Sequence, residues 1–264
     1  MKKLALVDYH TILPVLEKDK RTATFAYAVY DGIIDGDIFV NERLTAGIIA
    51  TANGVYYLFG DTYDQEFQRT LFPYIENNVL TTEKRFTLFV SSVKWENVIE
   101  NHFKDSFQKI PRKKILFQRE SFEDRKRELD DFTYKVMRID QNIIEKSTEF
   151  TEQYYKEYWR SKEAFLKHGF GFCMIQSQKV VAECVSIFRG HDFAEIDIAT
   201  HPDYQGKGLA RLVATYFIEH CIQSGITPCW DCNMDNIPSQ KLASKLGFGY
   251  SIEYVLYVRK KMGE

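Results

Sequence analysis

From Tyr134 to Val258 the apolar residues repeatedly change period, and this alternation limits the possible folds more than any other feature of the chain. The stretches "YKVMRID" (134–140), "FGFCMIQ" (170–176), "VVAECVSIF" (180–188), "FAEIDIAT" (193–200), "TPCWDCNM" (227–234) and "GYSIEYVLYV" (249–258) read as strands. Their apolar positions alternate or run continuously, as half-buried and fully buried strands require. Between them the spacing widens to three and four residues. One helix is expected through 149–169, ended by Gly169, and a short one through "SQKLASKL" (239–246). Another is expected over 208–224, with Leu209, Leu212, Val213, Tyr216, Phe217 and Cys221 on one stripe and Gly225 as its stop. Strands alternating with helices predict an α/β (α+β) fold, a mixed twisted sheet flanked by helices on both faces.

Upstream, "LTAGIIATANGVYYLFG" (44–60) reads as two strands turning at Asn53-Gly54, because both positions tolerate positive φ. Phe67, Leu71 and Ile75 fall at helical spacing, "RFTLFVSSV" (85–93) reads as a strand and "KWENVIENHF" (94–103) as an amphipathic helix. This is an additional N-terminal α+β half-domain without a chemical motif of its own. Residues 118–132, "QRESFEDRKRELDDF", are dense in both signs of charge and read as a solvated helix or connector. They set the predicted domains at 1–125 and 126–264.

A formal charge of −2 leaves no general basic face for phosphate backbones, so no nucleic-acid partner is expected. The apolar run in "MKKLALVDYH" is four residues long and stops at Asp8, so neither a signal peptide nor a membrane anchor is expected. Cys173, Cys184, Cys221, Cys229 and Cys232 lie in apolar surroundings that suit reduced core thiols, consistent with a cytoplasmic protein. "CWDC" (229–232) points its cysteines to opposite faces of a strand, and no second ligand pair stands at zinc-like spacing, so no metal is expected. Tyr155, Tyr158 and Trp159 fall largely on a core-facing helical stripe, which favours packing over an aromatic substrate wall.

The junction before the 208–224 helix carries "HPDYQGKGLARLV" (201–213), with Gly206 and Gly208 at the helix start. The first turn of a helix has amides without partners, and with the macrodipole these attract anions. Glycine allows close approach to that backbone, and Lys207 and Arg211 add positive charge. The same glycines could serve turn geometry alone. A third glycine and a Gly-Lys-Ser/Thr ending are both missing, which excludes the usual dinucleotide and nucleotide-hydrolysing loops.

Gln205-Gly206-Lys207-Gly208-Leu209-Ala210 resembles the Q/R-x-x-G-x-G/A signature of the GNAT superfamily of acyl-CoA-dependent N-acetyltransferases. "NIPSQKLASKLGF" (236–248) resembles that family's later N-x-x-[AS]-x-x-L-x-x-x-L-G-F segment, and the resemblance covers residues 130–260. "EIDIATHPDYQGKGLA" with "PCWDCNMDN" is similar to a Gram-positive branch that includes zwittermicin-resistance acetyltransferases. The resemblance implies acetyl-CoA as cosubstrate, its pyrophosphate held by the amides of 205–210. It implies a pantetheine arm in a split between strands 193–200 and 227–234, paired with Ile198, Ala199 and Thr200. Asn236 and Ser239 would approach that arm from the other side, or cap the helix that follows, or both. The N-terminal half fits such a branch as an added or degenerate GNAT-like half that shapes the acceptor pocket or a homodimer contact.

Amine acetylation needs a base, because an amine is mostly protonated at neutral pH. Glu195 and Asp197 share a strand face, and an ionised carboxylate on a central strand must find a partner or a role. Structural ion pairing would also account for them. Glu195 is the first candidate, near where the resembling family often carries a catalytic glutamate, and Glu183 on the neighbouring strand is a further one. A backbone amide near Ile198 would polarise the thioester carbonyl. Many relatives place a tyrosine acid where this chain has Ala243, so that acid must come from elsewhere or be dispensed with. The expected activity is direct acetyl transfer to a small-molecule primary amine in a ternary complex. A non-catalytic acyl-CoA-binding module is the alternative. Aminoacyl transfer from tRNA is disfavoured for want of a basic stripe.

Overall fold

The computed structural model describes residues 1–18, 21, 23–77, 81, 85–126 and 135–260. The chain divides after Arg112 and again after Ser251, so that residues 1–112 and 252–264 form one unit and 113–251 another.

The first unit contains β1 (Lys2–Lys3), α1 (Leu13–Leu16), α2 (Thr24–Tyr30), β2 (Gly36–Val40), β3 (Ala46–Thr51), β4 (Val55–Gly60), α3 (Gln65–Ile75), β5 (Thr87–Val90) and α4 (Val93–Phe103). It also takes the start of β6 (Phe107–Phe117) and most of β12 (Phe248–Arg259). Strands pair in the order β1-β2-β3-β4-β5-β12, antiparallel except for the parallel β4–β5 pair. The expected hairpin turns at Gly54, whose φ is +81° and where a Cβ would collide with the Arg85 carbonyl oxygen. Asp64 caps α3 by accepting the Phe67 N–H at 2.8 Å, and Ser92 caps α4. Each helix then buries one side chain per turn: Phe67, Leu71 and Ile75 on α3, Trp95, Ile99 and Phe103 on α4. These meet Ile48, Leu58, Leu88 and Tyr257 in one core.

The second unit contains α5 (Arg119–Lys126), β7 (Val136–Arg138), α6 (Gln141–Ile144), α7 (Glu152–Trp159), α8 (Lys162–His168), β8 (Gly171–Gln176), β9 (Lys179–Arg189), β10 (Phe193–Thr200), α9 (Leu209–Gln223), β11 (Thr227–Asn233) and α10 (Ile237–Lys245). Strands pair in the order β11-β10-β9-β8-β7, antiparallel except for the parallel β10–β11 pair. α9 buries Leu209, Leu212, Val213, Ala214, Phe217, Ile218 and Cys221 against Met174, Ala182, Cys184 and Ile196 of the sheet. Each large apolar side chain so buried stabilises by about 1.5–3 kcal/mol. α7 packs on the opposite face, where the Trp159 Nε1–H donates to the Ser186 carbonyl at 3.1 Å. The mixed sheet flanked by helices, with further N-terminal elements, is the expected fold class.

Three local expectations change. The single helix over 149–169 is two, α7 and α8, broken where Arg160 takes φ +71° and Ser161 accepts the Ala164 N–H as a new cap. Tyr216 is 42% exposed, because α9 turns Ala214 and Ile218 inward beside Phe217 instead. In the charged 118–132 stretch, α5 buries Phe122 against Phe117, while 127–132 lie outside the described residues.

Candidate active site

Three carboxylates were expected on β9 and β10, and the strand register puts them on one sheet face. Asp197 stands opposite Val185, and Ala199 opposite Glu183. Directly opposed residues of an antiparallel pair point the same way, and alternation along β10 adds Glu195. Between Glu195 and Ile196 the register slips, with Ile187 as the extra residue of β9. This face lies away from α9 and beneath α7. There the Tyr154 Oη–H donates to Asp197 Oδ2 at 2.9 Å. Burial raises the Asp197 pKa, while the hydrogen bond from Tyr154 acts against that rise. Burial and the Asp197 charge together push the Tyr154 phenol well above its usual value.

Glu183 is more enclosed, at 3% exposure. Its Oε1 accepts the Ser147 hydroxyl at 2.6 Å, its Oε2 is buried without a partner, and burial drives its pKa up to about 7. The Tyr155 hydroxyl beside it is likewise buried and unpartnered. Glu195, half-buried, sits opposite Cys229 of β11 and Phe188 of β9.

β10 and β11 pair through Phe193–Thr227, Ala194–Pro228 and Glu195–Cys229, and there the ladder ends although both strands continue. Main-chain groups on a strand alternate between its two edges. The His201 N–H donates to the Val181 carbonyl across β9, which aims Ala199 and Asp197 the same way. The N–H and C=O groups of Ile198 and Thr200 are therefore directed at the parting. Gln205 Nε2–H reaches back to the Thr200 carbonyl at 3.2 Å.

Past the parting the chain turns through Gly206 (φ +75°) and Gly208 (φ +79°) into α9, whose first turn has no side-chain cap. Nothing stands within 4 Å of where a Cβ on Gly206 would lie. The helix start thus presents amides to open space. Lys207 Nζ donates to the Asp203 carbonyl at 3.0 Å and lies over the Tyr204 ring. Arg211 points elsewhere, its Nη2–H donating to the Arg125 carbonyl at 2.6 Å, at the end of α5. Asn236 caps α10 by accepting the Ser239 N–H at 3.1 Å, and Ser239 Oγ accepts Trp230 Nε1–H at 3.0 Å. Ala243 is fully buried.

A family model described as GNAT acetyltransferase matches residues 14–257. The chain belongs to this family. The GNAT protein is 38% identical over 250 residues to one named uncharacterized N-acetyltransferase YdfB, of Bacillus subtilis (strain 168), covering 94% of this chain and 95% of that protein. Its fold matches a GCN5-related N-acetyltransferase-like protein from Streptococcus suis with a TM-score of 0.69 at 21% identity, covering 96% and 99% of the two chains. It also matches a tandem GNAT protein from the clavulanic acid biosynthesis pathway, with a TM-score of 0.66 at 9% identity, covering 96% and 94%. GNAT membership supports acetyl-transfer chemistry from an acyl-CoA donor. The uncapped, glycine-lined start of α9 and the unzipped edge of β10 fit a long donor with an anionic end and an amide-bearing arm.

The expected residues thus fall in two groups. Asp197 and Glu183, with Glu195 on the same strand face, lie on the α7 side of the sheet. Ile198, Ala199 and Thr200, followed by Gln205, Gly206, Lys207, Gly208, Leu209 and Ala210, run along the parting and into α9. Arg211 is drawn toward α5. Sequence reasoning missed Tyr154 and Ser147. Tyr154 stands four residues before Tyr158 on α7, a spacing that aligns their rings, with centroids 4.9 Å apart. Asking which hydroxyl satisfies an acid on a central strand would have pointed to it. Among the described residues no cluster of three or more His, Cys, Asp or Glu could hold a metal ion, and no helix is long and apolar enough to cross a membrane.

Proposed function

We propose that the protein is an acetyl-CoA-dependent N-acetyltransferase that acetylates a small-molecule primary amine by direct attack within a ternary complex. The observation that carries this reading is the unzipping of β10 from β11 beside a recessed carboxylate, Asp197. Bound acetyl-CoA supplies its acetyl group as a thioester. The amides of 205–210, with Lys207 nearby, hold the diphosphate, whereas Arg211, expected there, is engaged with the Arg125 carbonyl. Ile198 and Thr200 present the strand edge to the pantetheine arm, Ala199 between them pairing with β9, and Asn236 and Ser239 approach it from α10. The Ile198 N–H serves as the donor to the acyl carbonyl oxygen.

Asp197 takes the proton that the acceptor's ammonium must lose, because a carboxylate with a raised pKa is a stronger base at neutral pH. Glu195 and Glu183 are the further carboxylates of this face. The N-terminal half is read as GNAT-like and the C-terminal half as catalytic; the boundary expected at 125/126 differs from the compact units, which divide after Arg112 and again after Ser251. Within the family we place it with the zwittermicin-resistance acetyltransferases, on the stretches 195–210 and 228–236. Its free cysteines and its acyl-CoA donor suit a cytoplasmic setting. The amine is its partner, with no nucleic acid or membrane and with a homodimer as the assembly.

A second reading, a non-catalytic acyl-CoA-binding module, is favoured by Ala243, which leaves no tyrosine acid on α10. Calorimetry with acetyl-CoA, followed by thiol release with polyamines, aminoglycosides and amino acids, separates the two. Binding with turnover that Asp197→Asn abolishes supports the transferase. Binding without turnover on any amine supports the module. Absence of binding to folded protein ends both.

A further inference from the structure

We infer that Tyr154 is a positioning residue for the base, its hydroxyl fixing Asp197 Oδ2 so that Oδ1 is left to take the proton from the amine. This rests on the reading of Asp197 as the base. Among the described residues, Tyr154 is the only side chain that hydrogen-bonds to Asp197, at 2.9 Å. Its ring is held on three sides by Phe150, Tyr155 and Tyr158, with centroids 4.7, 5.4 and 4.9 Å away.

The helix that carries Tyr154 is tied to β9 at both ends. Before α7, the Phe150 N–H donates to Ser147 Oγ at 2.9 Å, and Ser147 in turn donates to Glu183. At its last residue, Trp159 Nε1–H donates to the Ser186 carbonyl. A phenol delivered by so fixed a helix has little freedom to leave its carboxylate. It does not replace the acid missing at Ala243, because a phenol beside a carboxylate holds its own proton too firmly.

The titratable groups facing Asp197 are Glu195 on its own strand, Glu183 on β9, and Tyr154 and Tyr155 on α7, with Tyr158 against Tyr154; Cys184 of β9 lies on the α9 face. An ionised Glu183 opposes a charge on Asp197, whereas the neutral phenols carry none. Tyr154 favours the Asp197 charge, by donating to the ionised form.

Tyr154→Phe tests this, because it keeps the ring contacts and removes the hydroxyl that donates to Asp197. The Asp197 carboxyl is followed by 13C NMR in full-length protein labelled at the aspartate carboxyls, its signal assigned by loss in Asp197→Asn. The pH dependence of kcat is measured on the amine that turns over best. In Tyr154→Phe the carboxyl titration and the acid limb of kcat should both move to higher pH by about one unit, with KM for acetyl-CoA unchanged. Tyr158→Phe, which also removes a hydroxyl from α7, should leave both in place. An unmoved carboxyl titration in folded Tyr154→Phe overturns the inference and leaves Asp197 as base. If Asp197→Asn keeps both its rate and its acid limb, the base assignment falls and the role of Tyr154 falls with it.

Discussion

Glu183 sits with one carboxyl oxygen held by Ser147 and the other buried alone, and this asymmetry has a measurable cost. Its folded pKa of about 7 lies above the ordinary value of 4.5. Between those values the folded state binds more protons than the unfolded one. Stability therefore falls as pH rises through this window, and the loss is complete above about pH 7. In Glu183→Gln that fall disappears. Thermal melts from pH 5 to pH 8 should show the variant gaining on the parent by at most about 3 kcal/mol. Parallel curves would mean that Glu183 does not titrate in this range. Ala243 gives a prediction of opposite sense. Tyrosine there has no room, so Ala243→Tyr should destabilise by about 1–3 kcal/mol in denaturant titrations without raising turnover. At this scale the sequence shows which acids share a face, because alternation along a strand is local. It does not show that Tyr154 meets Asp197, because those residues lie 43 positions apart and only packing of α7 on the sheet joins them.

Glycine punctuation was the most readable signal among the elements. Gly54 turns the β3–β4 hairpin, Gly208 precedes α9 and Gly225 follows it, each at the expected place. The break between α7 and α8 was not readable, since the apolar stripe runs through Arg160 and only the Ser161 cap marks the new start. Gly206 and Gly225, at opposite ends of α9, make a matched pair. Their φ values are +75° and +71°, and neither has a neighbour within 4 Å of an added Cβ. Alanine at either position should cost about 1–2 kcal/mol of stability, from backbone strain alone. Only Gly206→Ala should also weaken acetyl-CoA binding, by tenfold or more in calorimetry, because its methyl would intrude where phosphate is to lie. Equal affinities in the two variants would remove the phosphate from this turn.

At the scale of the whole chain, the last strand belongs with the first residues. Tyr254, Leu256 and Tyr257 are buried in the first unit, and the Tyr257 hydroxyl donates to Glu100 Oε1 at 2.8 Å. A chain ending at Ser251 should lose amide protection in β3, β4 and β5 in hydrogen-exchange mass spectrometry, while β8 and β9 keep theirs. Composition marks the charged stretch at 118–132, but it carries no record of which unit a distant strand will join. That is decided by pairing between Val258 and Thr87, 171 positions apart. The unzipped β10 edge has an evolutionary corollary. A groove walled by peptide groups is indifferent to side-chain identity, so the residues along it can drift while the donor stays gripped. On the proposed function, the α7 face, built from phenols and acids, would be free to be rewritten for a new acceptor without relearning how to hold the old donor.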